Sequence, residues 1–169
     1  GQISQTACSA GTYNSNIGSN ASTDCLDADA GYYVDISAGI GQISQTACLA
    51  GTYNPNTGST ASTDCLDADA GYYVDQIGQI SQTACSAGTY NSNIGSTAST
   101  DCLDADAGYY VDLSAGISQI SQTACLAGTY NPNTGSNAST DCLDADTGYY
   151  VDISMGIAQT AQTACLSGT

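Results

Sequence analysis

The sequence predicts an all-β, disulfide-rich tandem repeat, an elongated rod of stacked short β-hairpin modules. Three observations carry this expectation. A motif with a period near forty residues recurs along the 169-residue chain, which is the range of repeat architectures. Nine cysteines fall at regular positions. Bulky residues are scarce: Phe and Trp are absent and the aromatic content is twelve Tyr. A chain so composed cannot furnish one large core, so small stapled units are expected instead.

The units run over residues 1–40, 41–77, 78–117 and 118–157, and a truncated fifth covers 158–169. The chain starts and stops within this pattern and lacks an initiator Met, so it reads as part of a longer protein. The cysteines come in pairs seventeen residues apart, while the gaps between pairs are 23, 20, 23 and 23. Constant spacing within a pair and variable spacing between pairs place each bridge inside its pair. The expected disulfides are Cys8–Cys25, Cys48–Cys65, Cys85–Cys102 and Cys125–Cys142, with Cys165 expected to pair beyond residue 169. Closing each loop should stabilise by about 3 kcal/mol on the chain-entropy account. Without His or a C-x-x-C pair, zinc is a poor reading of these cysteines, and an oxidising compartment is expected.

A shorter period lies inside the unit. Shifted by twenty residues, Cys8 to Tyr13 falls on Ala28 to Tyr33, and Cys25 falls on Gln45. Each unit is therefore two half-repeats, one bridged and one with Ala and Gln in the matching places. The second unit is three residues shorter, and the deletion lies in its unbridged half, where no covalent geometry is disturbed. Alternate units also differ. Asn14 to Gly18 and Asn91 to Gly95 read Asn-Ser-Asn-Ile-Gly, whereas Asn54 to Gly58 and Asn131 to Gly135 read Asn-Pro-Asn-Thr-Gly. A two-unit block has been duplicated.

Each half-repeat reads as two short extended segments around a turn. Thr12-Tyr13 enters, Asn14 to Gly18 turns, and Ser19 to Cys25 returns; in the other half Tyr32 to Val34 enters and Gln42 to Ser44 returns. No sustained 3.6-residue pattern supports a helix. Gly11 and Gly31 are expected at positions where a side chain would strain the backbone or block close approach of neighbouring units. Adjacent Tyr32 and Tyr33 must face opposite ways. The series Tyr13, Tyr33, Tyr53, Tyr73 is the candidate internal spine, and the series Tyr32, Tyr72, Tyr109, Tyr149 then faces outward. Both series could simply cover a thin core, or the outer one could pack against a neighbouring chain or a sugar.

The run Cys-x-Ala-Gly-Thr-Tyr-Asn-Pro-Asn-Thr-Gly-Ser-x-Ala-Ser-Thr-Asp-Cys, followed by Ala-Gly-Tyr-Tyr-Val, resembles the cysteine-rich repeats of growth-factor-receptor and ephrin-receptor-like type. Such repeats occur in surface proteins of protists and in the filament proteins of flagellar hairs (mastigonemes). The resemblance covers all four full units. It implies two further cysteines per unit, at the places held here by Ala28 and Gln45, Ala68 and Gln82, Ala105 and Gln122, and Ala145 and Gln162.

The formal charge is −16, from sixteen Asp with no Lys, Arg or His. Without a basic residue the chain cannot neutralise phosphates, so nucleic acid is excluded as a direct ligand, and anionic membrane surfaces are unfavourable. No apolar run approaches a membrane span, so no membrane insertion of this segment is expected. The recurring Asp24, Asp27 and Asp29, and their equivalents in the other repeats, are candidate calcium ligands; the competing reading is a solvated acidic face that keeps the chain soluble. Asn20-Ala21-Ser22 and Asn137-Ala138-Ser139 match the N-glycosylation sequon, which Thr60 and Thr97 abolish in units two and three. No catalytic site is expected, because a catalytic centre is one asymmetric constellation and here every Asp recurs in each unit.

These features together suggest a secreted or cell-surface structural protein: a component of an extracellular filament, surface hair or coat, glycosylated, self-associating or packed against neighbouring filament chains. The alternative is the stalk or ligand-binding region of a cell-surface receptor or adhesin, stiffened by calcium.

Overall fold

The computed structural model describes residues 4–114 and 116–166. Among them there is no α-helix, and the only strands are two residues long. They pair as eight antiparallel two-stranded hairpins. Four carry the predicted bridges and pair Thr12–Tyr13 with Leu26–Asp27, Thr52–Tyr53 with Leu66–Asp67, Thr89–Tyr90 with Leu103–Asp104, and Thr129–Tyr130 with Leu143–Asp144. The other four pair Tyr32–Tyr33 with Thr46–Ala47, Tyr72–Tyr73 with Thr83–Ala84, Tyr109–Tyr110 with Thr123–Ala124, and Tyr149–Tyr150 with Thr163–Ala164. The two kinds alternate along the chain, one to each half-repeat.

The return segments differ from expectation. In the bridged halves, Ser22–Asp24, Ser62–Asp64, Ser99–Asp101 and Ser139–Asp141 form single 3₁₀ turns before the returning strand. In the first unbridged half the returning strand is Thr46–Ala47, and Gln42 instead forms a parallel bridge with Tyr13 of the preceding hairpin. Asp24 explains the turn: its Oδ2 accepts the N–H groups of Asn20 and Ala21 at 3.1 and 3.2 Å, satisfying donors the short turn leaves free.

The chain forms two units. The first comprises Gly1–Asp69, Tyr73–Thr83 and Gly95–Ala98; the second comprises Ala70–Tyr72, Ala84–Ile94 and Ser99–Thr169. Both are built on the same plan, with two buried columns. In the first unit one column is Cys8, Ala28, Cys48 and Ala68, and the other is Val34, Asn54 and Val74. In the second unit they are Cys85, Ala105 and Cys125, and Asn91, Val111, Asn131 and Val151. The half-repeat periodicity is thus a packing periodicity: Cys alternates with Ala, and Asn with Val.

The tyrosines do not form the spine. Tyr13, Tyr33, Tyr53 and Tyr73 are half-buried, and so are Tyr32, Tyr72 and Tyr109. The reason is separation. Successive half-repeats meet backbone to backbone, which a ring between them would prevent. In the first unit Val34 N–H donates to Ser59 O at 2.9 Å, Gly31 N–H to Asn54 O at 2.7 Å, and Gly58 N–H to Ala28 O at 2.8 Å. The second unit repeats this with Val111 on Ser136, Gly108 on Asn131, and Gly135 on Ala105, at 2.9, 2.8 and 2.8 Å. Gly31 meets both expectations set for it: its φ is +85°, and a Cβ there would fall on the carbonyl of Gly78.

The buried asparagines tie this stack together. Asn54 Nδ2 donates to Tyr32 O at 3.2 Å and to Ser59 Oγ at 2.8 Å, and its Oδ1 accepts Asn56 N–H at 3.0 Å. Its backbone N–H reaches Gln79 O at 3.0 Å and its carbonyl takes Gly31 N–H. Asn131 repeats the pattern on Tyr109, Ser136, Asn133 and Gln159. Removing such an amide strands several buried partners at once. Asn54→Ala is expected to destabilise by about 2–4 kcal/mol, since unmet buried groups cost about 1–3 kcal/mol each. Asn14→Ala, at a half-exposed position, should cost less than about 1 kcal/mol. Equal denaturation midpoints for the two variants would contradict this account.

Candidate functional site

No singular site stands out among the described residues; the chemistry-bearing residues form a motif that each half-repeat presents in turn. All four predicted disulfides are present. Cys8–Cys25, Cys48–Cys65, Cys85–Cys102 and Cys125–Cys142 have Cα–Cα separations of 5.6–5.7 Å. Each joins the segment entering a hairpin to the end of its 3₁₀ turn. Cys165 is exposed and outside these four bridges, at the place where a fifth cysteine of the column would start the next bridge.

The unbridged hairpins hold a different staple at the corresponding place. Gln45 Oε1 accepts the N–H of Asp29 at 2.7 Å, and Gln45 Nε2 donates to Asp29 Oδ2 at 2.7 Å. The same two bonds join Gln82 to Asp69, Gln122 to Asp106 and Gln162 to Asp146, at 2.5–2.7 Å. A carboxamide fits because it donates and accepts from adjacent atoms, and here it meets a carboxylate and a backbone N–H of one residue. The position read in sequence as a missing cysteine therefore carries a non-covalent clasp. Its only sequence signal was that Gln and Asp keep company in every unit, including the shortened one.

The candidate calcium ligands are distributed to separate tasks. Asp24 caps the 3₁₀ turn, Asp29 belongs to the clasp, and Asp27 lies exposed in a strand opposite Thr12. Their equivalents follow suit: Asp64 and Asp141 cap their turns, and Asp69, Asp106 and Asp146 join clasps. Among the described residues, no three acidic or cysteine side chains lie close enough to hold one ion. The sequon residues Asn20 and Asn137 are exposed, and so are Ser22 and Ser139. Each Asn sits immediately before a capped turn, with its backbone N–H held by Asp24 or Asp141.

The fourth Asp of a unit closes a turn of its own. Asp35 Oδ1 accepts Ser37 N–H at 2.8 Å, Asp112 accepts from Ser114 at 2.8 Å, and Asp152 from Ser154 at 2.9 Å. These bonds favour the ionised carboxyl, so all three sit below the ordinary value of 3.8, through the Ser backbone and then its hydroxyl. The shortened unit has Asp75-Gln76-Ile77 there and no such Ser. A depressed carboxyl contributes stability above its unfolded pKa, and that contribution fades as pH falls through the lower folded one. A carbon-detected titration should show these three carboxyls ionising below pH 3.8. Ionisation at or above that value would remove the Ser bonds from solution.

The clasp and the bridge occupy equivalent places, which sets a direct test. The double substitution Ala28→Cys with Gln45→Cys is expected to form a fifth intramolecular disulfide, seen as a two-hydrogen mass loss, and to stabilise by about 2–3 kcal/mol. Gln45→Ala alone should destabilise by about 1–3 kcal/mol, as loss of hydrogen bonds that include a charged partner does. Two free thiols in the double variant would show that the half-repeats are not superposable.

The described residues include no helix long and apolar enough to cross a membrane. Compared with known proteins, the chain matches no family model, and no curated protein matches it.

Proposed function

We propose that this chain is a structural component of an extracellular filament, surface hair or coat. Modules built on disulfides fit an extracellular protein, and four near-identical bridged units fit a structural one. One observation supports the finer reading best. The residues that alternate between units after the first cysteine and in the turn include exposed ones, while the buried columns keep their own order throughout. Leu49 and Leu126, which alternate with Ser9 and Ser86, are each 72% exposed. Ile17 and Ile94, which alternate with Thr57 and Thr134, are exposed as well. Because these differences alternate, the same surface returns at every second unit, as a periodic array requires, whereas a receptor or a catalyst needs one module set apart from the rest.

On this reading the protein is non-catalytic and secreted, carries glycan at Asn20 and Asn137, and has further chains of the same filament as its neighbours. The modules are a cysteine-poor form of the growth-factor-receptor-like repeat, with the Gln–Asp clasp in place of every second bridge. Immunogold electron microscopy of the native source, with an antibody raised against one repeat, tests the assignment. Label spaced along filaments, hairs or a coat is the expected result. Label scattered diffusely over a cell surface would overturn it in favour of a receptor or adhesin stalk.

A further inference from the structure

A pocket opens where a clasped hairpin meets the bridged hairpin that follows it. Its walls include Tyr33 and Thr46, a cross-strand pair of the clasped hairpin, and Cys48, Leu49, Thr52 and Cys65 of the bridged one. Its volume is about 200 Å³, its wall is mostly apolar, and no lining residue is charged. Thr52 Oγ1 donates to Leu49 O at 2.8 Å, so that hydroxyl already has its partner. Leu49 lines the pocket and is still 72% exposed, which places it at the rim. A cavity of about 150 Å³ with apolar walls holds a benzene-sized guest, so an aliphatic side chain fits here. In the fourth repeat Tyr110, Thr123, Cys125, Leu126 and Cys142 take the same places, with the same strand pairing and the same bridge, and Leu126 is again 72% exposed.

The opposite shape stands on the alternate repeats. Ile94 is 69% exposed, in an uncharged turn whose Ser92 and Asn93 are exposed too. Asn93 N–H donates to Asn91 Oδ1 at 3.0 Å and Gly95 takes a φ of +66°, so a closed turn presents the isoleucine as a fixed knob. A single exposed isoleucine is ordinary on a protein surface. What sets this one apart is its distribution. Repeats one and three carry the knob, Ile17 and Ile94, and have Ser9 and Ser86 where the pocket has its leucine. Repeats two and four carry Leu49 and Leu126, and have Thr57 and Thr134 in place of the knob. No full repeat holds both.

We propose that knob and pocket are the two sides of a contact between copies of this chain, with Ile94 of one copy seated in the Leu49 pocket of another. Charge selects a second copy as the occupant. The chain carries −16 and no basic side chain, so copies repel wherever Asp faces Asp. Knob and pocket are both patches without a carboxylate. A cationic partner gains nothing at either patch and is drawn instead to the surfaces where the Asp residues lie. The shared period supplies the register, since copies offset by one repeat set a knob repeat beside a pocket repeat. The contact is heterologous, because knob and pocket are different surfaces, and such contacts extend into filaments when they do not close into rings. Burial of the isoleucine drives it. Repulsion between the acidic chains opposes it, and salt screens that repulsion.

The contact deepens the structural reading above and rests on it for its setting, but it is measured on the isolated chain. Sedimentation velocity is run on Cys165→Ser, so that no disulfide between copies contributes, over rising protein concentration and at low and high salt. Association that grows with concentration and with salt is expected. Two double variants follow. Ile17→Thr with Ile94→Thr removes the knobs, and Leu49→Ser with Leu126→Ser removes the pocket rims. Each imports a residue the chain already holds at the equivalent place of other repeats, so both variants should fold. Each should weaken association at least about tenfold. Mixing the two should restore it, because one keeps the pockets and the other keeps the knobs. Ile120→Thr, at an isoleucine 55% exposed outside both features, should leave association intact. A monomer at every concentration overturns the proposal. So does association that is lost on replacing Cys165, insensitive to either double variant, equally weakened by Ile120→Thr, or not restored by mixing. A monomeric chain together with gold label along native filaments would sink this inference alone. Association of the pure chain with diffuse cell-surface label would sink the structural assignment alone.

Discussion

Close approach of backbone to backbone between consecutive half-repeats is the constraint on which the rest depends. Strands of two residues offer few ladder hydrogen bonds, and the chain has too few large side chains to gather a conventional core. Cohesion therefore comes from carbonyls and N–H groups of one half-repeat meeting those of the next. That geometry admits only small or compact side chains between layers, so the columns are Cys, Ala, Val and Asn. Asn54 and Asn131 do what a hydrophobic residue cannot: each saturates its own donors and acceptor while linking its turn to the preceding tyrosine and the following glutamine. A buried amide is tolerable because it is fully satisfied, and no buried side-chain polar atom lacks a partner among the described residues.

The alternation of staples follows from the same economy of side chains. Where Cys occupies the column, a covalent link holds the entering segment. Where Ala occupies it, the link shifts to the next residue, and Asp29 meets Gln45. The acidity acquires a structural logic from this division. Of the four Asp in the first unit, one caps a 3₁₀ turn, one completes a clasp, one closes a tight turn at Ser37, and one is exposed on a strand. Backbone N–H groups and amides supply the positive ends of these interactions, which lets a chain without a single basic side chain place carboxylates throughout its fold.

Much of this was legible from residue order. Equal spacing within cysteine pairs locates all four bridges, the twenty-residue shift exposes the half-repeat, and Gly31 stands in the sequence where close approach is expected. The tyrosine spine is misplaced because recurrence of Tyr13 and Tyr33 across the half-repeat marks an equivalent position, not a buried one, and the quantity that decides burial is interlayer distance. The role of Asn54 is hidden for a related reason: Asn in Asn-Pro-Asn suits an exposed turn, and only the neighbouring layer reveals its partner Tyr32. The clasp was hidden because Gln45 and Asp29 are sixteen residues apart and pair only once the hairpin has formed. Of the three candidate calcium ligands, Asp24 accepts backbone N–H groups and Asp29 accepts the Gln45 side-chain amide, partners that a sequence does not display.

Alternating covalent and non-covalent staples have a mechanical consequence. Under tension a disulfide loop cannot lengthen, so the residues it encloses are withheld from extension. A clasp, with the strand pair and layer contacts of its hairpin, can be pulled apart, and opening them together frees the chain between partners that stand sixteen positions apart for Asp29 and Gln45 and thirteen for Asp69 and Gln82. At about 3.3–3.6 Å per extended residue, each release adds roughly 40–60 Å of contour length, less the span of the folded hairpin. Load is then taken up in discrete steps while the bridged hairpins between them stay closed. The opened segment, tethered on both sides to intact modules, can snap back when the load is removed.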